Sequence, residues 1–172
     1  MNTILLVDKT DIDFILPISR NLDPEWYSSF ILKSQNNFIE PIVGEELMNE
    51  LYSQKDTNTL TVLNVKLIDY IKRPLVFAMF QNSLATLWMR IENGGITKNI
   101  SENQESVTVE ELGMLENQFK NDFDIEKQKL IKYLDANYLD YPLYKLTDCH
   151  TSRNLIHGVW IPSKRKNIKT SK

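Results

Sequence analysis

The sequence is poor in the residues on which most compact catalytic and metal sites depend. Its 172 residues include one cysteine, Cys149, and two histidines, His150 and His157. A single cysteine excludes a disulfide within the chain and a zinc site built from several thiolates. Nucleophilic catalysis needs a Ser or Cys beside a base, and both histidines lie in the last part of the chain. We therefore expect no enzyme, no cofactor and no resident metal.

Glycine and proline are also scarce, and no long apolar run is present. Five glycines and six prolines are too few for the many tight turns of a sandwich or barrel, so helix is the expected structure. The first apolar run, Ile4 to Val7, is much shorter than the core of a signal peptide or a membrane span. The sequence thus favours an all-α protein made in the cytoplasm, with no membrane contact.

Charge is distributed unevenly along the chain. The net charge is −3, but from His150 onward the chain carries six basic residues and no acidic one, which leaves about −9 on the remainder. The basic residues are Arg153, Lys164, Arg165, Lys166, Lys169 and Lys172. We divide the chain into an N-terminal arm over 1–22, a helical domain over 23–143 and an extended basic tail over 144–172.

The first half of the chain predicts several short helices. A helical turn is expected from Thr10, with Asp13 as its capping-box partner. Asp23-Pro24 predicts the start of a helix that continues to about Asn36 and buries one aromatic face. Pro41 and Gly44 are expected to break that helix, and a short helix follows from Glu45 to about Gln54. The face expected to be buried is Trp26, Tyr27, Phe30 and Ile31.

The second half predicts two long helices. Apolar residues recur at steps of three or four from Val62 to Asn93, which indicates one helix with a kink or split at Pro74 and a stop at Gly94-Gly95. A polar segment, 96–107, separates it from a helix capped by Thr108 and Glu111. The stripe on this second helix is Leu112, Leu115, Phe119, Phe123, Leu130, Tyr133, Leu134 and Tyr138. The two helices are expected to pack antiparallel as the centre of a single-domain bundle.

Three motifs could suggest a metal site, a catalytic carboxylate pair or a phosphate-binding loop, but their spacing does not support these functions. Asp148-Cys149-His150 with His157 does not have the ligand spacing of a common zinc site. Asp122 and Asp124 lie two apart on a helix and so do not share a face. Gly94-Gly95 lacks the lysine and further glycines of a phosphate-binding loop.

The basic tail is the one segment whose composition suggests binding. Its residues could contact nucleic-acid phosphates, dock on an acidic protein surface, or remain solvated. An aromatic residue beside Pro162 favours a protein contact. The candidate partner-binding residues are Trp160, Ile161, Lys164, Arg165, Lys166 and Lys169.

The order of several segments resembles the head–tail connector proteins of tailed bacteriophages, in particular the small ring proteins of phages of Bacteroides-like hosts. The resemblance covers about residues 28–142. It rests on the segments 38–47 (FIEPIVGEEL), 67–75 (LIDYIKRPL), 90–96 (RIENGGI) and 133–142 (YLDANYLDYP). The basic tail lies outside it.

The resemblance implies a structural virion protein, without catalytic residues, at the neck of the particle. Such proteins form a ring, commonly twelvefold, between the portal protein and the next tail or ring component. DNA would pass through the lumen without sequence-specific contact. The 96–107 segment and both termini would reach neighbouring proteins. The alternative is a small helical protein that binds nucleic acid through its basic tail, in which case truncation after Thr151 should abolish salt-sensitive DNA binding.

Overall fold

The computed structural model describes residues 4–16, 24–92, 95–98 and 108–144. These residues form six α-helices, one π-helical segment and one β-hairpin, so the predicted all-α class is confirmed. The α-helices are α1 (Lys9–Ile15), α2 (Pro24–Ser34), α3 (Glu40–Val43), α4 (Glu45–Asp56), α5 (Val62–Trp88) and α6 (Val109–Ala136). The π-helical segment is Gln35–Ile39, and the strands are β1 (Met89–Glu92) and β2 (Gly95–Lys98).

Helix α5 lies at the centre of the bundle, where it packs against α6, α2, α1 and the π-helical segment. Apolar side chains on several sides of α5 are buried from Leu67 to Leu84, where neighbouring elements cover the helix. The fully buried ones are Leu67, Ile71, Leu75, Val76, Ala78 and Met79. Pro74 lies inside this helix, which confirms the single long helix and excludes the split that was the alternative to a kink. A helix covered by others tolerates one lost backbone hydrogen bond because tertiary packing supplies most of its stability.

Helices α5 and α6 run antiparallel, as predicted. Phe80 stacks on Phe119 near one end of the pair, and Tyr70 stacks on Tyr133 towards the other, with ring centroids 5.7 and 4.0 Å apart. The predicted capping box of α6 is confirmed, since Thr108 accepts from the Glu111 amide while Glu111 accepts from the Thr108 amide. In the predicted stripe, Leu115 and Tyr138 are exposed rather than buried.

The predicted break of the helix is wrong at Pro41 and confirmed at Gly44. The chain continues from α2 through the π-helical segment into α3, and Glu40 keeps right-handed helical angles of φ −56° and ψ −41°. The helical run ends instead at Gly44, whose φ of +93° is a conformation that side chains with a Cβ rarely adopt. Helix α4 begins directly afterwards at Glu45, as predicted, and ends two residues later than expected.

The first helix and the end of α5 also differ from the predictions. The cap of α1 is Asp8 with Asp11 as its partner, two residues before the predicted Thr10 and Asp13. Helix α5 ends at Trp88 rather than at Asn93. The chain then enters a hairpin in which Met89 pairs with Lys98 and Glu92 with Gly95. Trp26 and Trp88, predicted as core, lie in α2 and α5, but their side chains are not among those that the structure describes.

Candidate interaction surfaces

A row of tyrosines joins α6 and the turn after it to the start of α5. The Tyr133 ring stacks on Tyr70 with an interplanar angle of 13°, and the Lys66 ammonium lies 5.7 Å above its centroid. The Tyr141 hydroxyl donates to the Leu63 carbonyl at 2.8 Å. Because that bond uses the Tyr141 proton, Tyr133 is the donor in the 2.8 Å contact between the two hydroxyls. Burial, followed by the bond from Tyr133, raises the pKa of Tyr141 above its ordinary value.

A cleft of about 290 Å³ opens beside these tyrosines, between α5 and α6. It is lined by Asp69, Tyr70, Arg73, Glu126 and Lys129. Three of its four charged side chains are in ion pairs: Glu126 pairs with Lys129 at 2.7 Å, and Asp69 pairs at 3.3 Å with Lys72, which also binds Asp11. Within the described part of the chain Arg73 has no ion-pair partner. The cleft therefore combines a partly exposed aromatic ring with one uncompensated cation.

Large apolar side chains are exposed at both ends of the α5–α6 pair. At one end Val62 is 87% and Leu139 79% exposed, beside the half-exposed Leu63 and Tyr138. At the other end, in the first turns of α6, Met114 is 72% exposed and Val109 is exposed as well. Helix α6 has 28 residues, so these two surfaces lie about 40 Å apart at roughly 1.5 Å per residue. The molecule thus presents two apolar surfaces at opposite ends of one rigid element.

The N-terminal segment is held on the body by Gln35, which is fully buried in the π-helical segment. Its Oε1 accepts from the Leu6 amide at 2.7 Å, and its Nε2 donates to the Ile4 carbonyl at 3.0 Å and to the Tyr52 hydroxyl at 3.2 Å. Lys55 donates to the Leu6 carbonyl at 3.0 Å. The backbone groups of Ile4 and Leu6 are therefore hydrogen-bonded to side chains of the helical body.

Two lysines sit close to this segment in different electrostatic surroundings. Burial lowers the pKa of Lys55, and nearby Asp11 and Asp8 only partly offset that effect. Burial acts in the same direction on Lys72, but its bonds to Asp11 and Asp69 outweigh it and raise the pKa of Lys72. The 2.9 Å Lys72–Asp11 ion pair thereby ties α1 to α5.

The residues predicted to bind a partner are not located by the structure. Trp160, Ile161, Lys164, Arg165, Lys166 and Lys169 lie outside the described residues, as do Cys149, His150 and His157. Within the described ranges no group of three or more His, Cys, Asp or Glu side chains could hold a metal ion. No helix in those ranges is both long and apolar enough to cross a bilayer.

The cleft and the Gln35 contacts were missed by sequence reasoning. Tyr70 and Arg73 lie more than 50 residues from Glu126 and Lys129, so only the packing of α5 on α6 brings them together. Gln35 resembles an ordinary polar residue at a helix end. The one available signal was Tyr70, an aromatic residue that falls outside the buried stripe of α5.

Comparison with known proteins gives a family but no activity. No curated protein and no solved structure matches the chain. A family described as "Family of unknown function (DUF6712)" matches residues 39–154, about two thirds of the chain. The match begins at Ile39, the last residue of the π-helical segment, and includes α3 to α6 and the residues of the cleft. It ends at residue 154, before most of the basic tail. The chain belongs to the DUF6712 family.

Proposed function

We propose that the chain is a structural virion subunit that forms an oligomeric ring joining the portal to the tail of a tailed bacteriophage. The observation that carries the proposal is the pair of exposed apolar surfaces at opposite ends of α5 and α6. Clustered exposed apolar side chains mark protein contacts. Two different surfaces on one subunit permit head-to-tail contacts, and such contacts close into a ring when the rotation between neighbours allows it.

The buried centre of the molecule supports a mechanical role. Helix α5 is enclosed on several sides, and α6 is held against it by stacked rings and by the tyrosine hydrogen bonds. A subunit that bridges two large assemblies must keep its contact surfaces at a fixed separation, which a packed helix pair provides. We propose a twelvefold ring at the neck of the virion. Its partners would be the portal protein and the next tail or ring component.

Electron microscopy of the purified chain, alone and mixed with its portal, tests the proposal. Ring particles are expected in at least one of the two samples. The double variant Val62→Ser, Leu139→Ser tests whether one of the two apolar surfaces is needed. Both side chains are exposed, so their replacement should leave the fold intact. This variant should lose the rings while retaining its helical circular dichroism. A wild-type chain that stays monomeric at high concentration and does not bind the portal would contradict the proposal.

A further inference from the structure

The cleft between α5 and α6 has the composition of an interface hot spot. Tyr70 is 38% exposed at its edge, and Arg73 is exposed beside it. Tyrosine and arginine are enriched among the residues that dominate binding energy at protein interfaces. Glu126 is paired with Lys129 and Asp69 with Lys72, and no carboxylate of the described residues pairs with Arg73. A visiting group that satisfies Arg73 must therefore bring its own negative charge.

The first turns of α6 present a matching pair of side chains. Glu110 and Met114 are four residues apart and therefore neighbours on the helix surface. They lie on the side opposite Phe119, Phe123 and Leu130, which face the core, and both are exposed. Within the described ranges Glu110 has no ion-pair partner. This surface joins a free carboxylate to a flexible thioether, a group that packs well on aromatic rings.

The cleft and this surface cannot meet within one molecule. Glu110 lies 16 residues before Glu126 on the same straight helix, about 24 Å away at roughly 1.5 Å per residue. The two surfaces are different but complementary in charge and in apolar content. Contacts between them would be head-to-tail, the type required for a ring.

We propose that the cleft receives the first turns of α6 from the next copy of this chain, so that Arg73 pairs with Glu110 and the Met114 side chain packs on Tyr70. This inference rests on the proposed function, and it names the residues that would form the contact between neighbouring subunits of the ring. A guanidinium binds a carboxylate with two parallel hydrogen bonds, which would fix the register between neighbouring subunits.

A charge exchange tests the pairing on the full chain. Mass photometry and electron microscopy follow assembly of the wild type, of Arg73→Glu, of Glu110→Lys, and of an equal mixture of the two variants. Each single variant should raise the concentration needed for half assembly at least tenfold, because it places like charges in contact. The mixture should recover assembly close to the wild-type level, with the two variants alternating around the ring.

Matched variants separate this contact from a general effect of charge. Lys33→Glu in α2 and Glu45→Lys in α4 make the same changes in net charge at exposed sites outside the proposed contact, and they should assemble like the wild type. The neutral variants Arg73→Gln and Glu110→Gln should give intermediate losses. Circular dichroism and thermal unfolding of every variant check that the fold is kept.

Each result distinguishes the two proposals. Assembly of Arg73→Glu or Glu110→Lys at wild-type concentrations overturns the cleft contact and leaves the ring proposal standing. Loss in both single variants without recovery in the mixture also overturns the pairing, because the two residues then do not face each other. A wild-type chain that remains monomeric at every concentration, with and without portal, overturns the ring and the contact together.

Discussion

Helices α5 and α6 have 27 and 28 residues and lie side by side, but their surroundings differ. Helix α5 is covered on several sides and supplies the centre of the core. Helix α6 buries one stripe and leaves apolar residues such as Met114 and Ile125 exposed on its other sides. Apolar content in α5 therefore maintains the fold, whereas part of the apolar content in α6 is available for contact with another molecule. The two proposals depend on this difference.

The largest expected change in unfolding free energy comes from truncating one methionine in each of the two long helices. Met79 of α5 is fully buried, so Met79→Ala should cost about 2–5 kcal/mol of unfolding free energy through lost packing and the remaining cavity. Met114→Ala in α6 should stay within roughly 0.5 kcal/mol of the wild type. Urea unfolding measures both values under conditions where the chain is monomeric. A cost at Met114 close to that at Met79 would show that the α6 surface belongs to the core.

A smaller effect is expected where the N-terminal segment meets the body. Gln35→Leu keeps the volume of the side chain but leaves the Leu6 amide and the Ile4 carbonyl without their partners, which should cost about 1–3 kcal/mol. The neighbouring exposed Asn36→Leu serves as the control. Hydrogen exchange at the Leu6 amide should accelerate in Gln35→Leu alone. Unchanged protection there would mean that Gln35 does not hold the segment.

The smallest effect concerns the start of α6. Thr108→Ala removes the bond from the Glu111 amide to the Thr108 hydroxyl and the bond from that hydroxyl to the Glu111 carboxylate, and it should cost about 0.5–2 kcal/mol, with Val109→Ala as the control. The bond from the Thr108 amide, and then that from its hydroxyl, lower the pKa of Glu111 below 4.5. The capping contribution of Glu111 is thus present above pH 4.5 and is lost as the pH falls through its folded pKa.

An NMR titration of the Glu111 carboxyl checks this assignment. Its pKa should lie below the ordinary value in the wild type. In Thr108→Ala it should rise part of the way back, because the backbone bond remains. An ordinary pKa for Glu111 in the wild-type protein would show that the Thr108 bonds do not stabilise its carboxylate form.

The features that followed from the sequence are those set by residues close together in the chain. The Thr108–Glu111 capping box and most of the buried stripes of α5 and α6 depend on spacings of three and four residues; the box was predicted correctly, and so was the α6 stripe apart from the exposed Leu115 and Tyr138. The antiparallel pairing of α5 and α6 followed from their order and length.

The failures arose where distant contacts override local preference or where one local signal was misread. Pro41 does not end the helical run, because the π-helical segment before it is bound to residues 4–6 and to α4 through Gln35. Met89-Arg90-Ile91-Glu92 alternates apolar and polar residues before Asn93-Gly94, which is a strong hairpin signal. The helical spacing of the apolar residues before it wrongly predicts a helix that continues to Asn93. The cleft needs residues from two helices, so no single segment could indicate it.

The most direct test of the account is the mass distribution of the purified wild-type chain across a range of concentrations. We predict that the monomer of 20.1 kDa gives way to one closed species whose mass is a fixed multiple of it, alone or once the portal is added. A folded chain that stays at the monomer mass throughout, with portal present as well as absent, would contradict it.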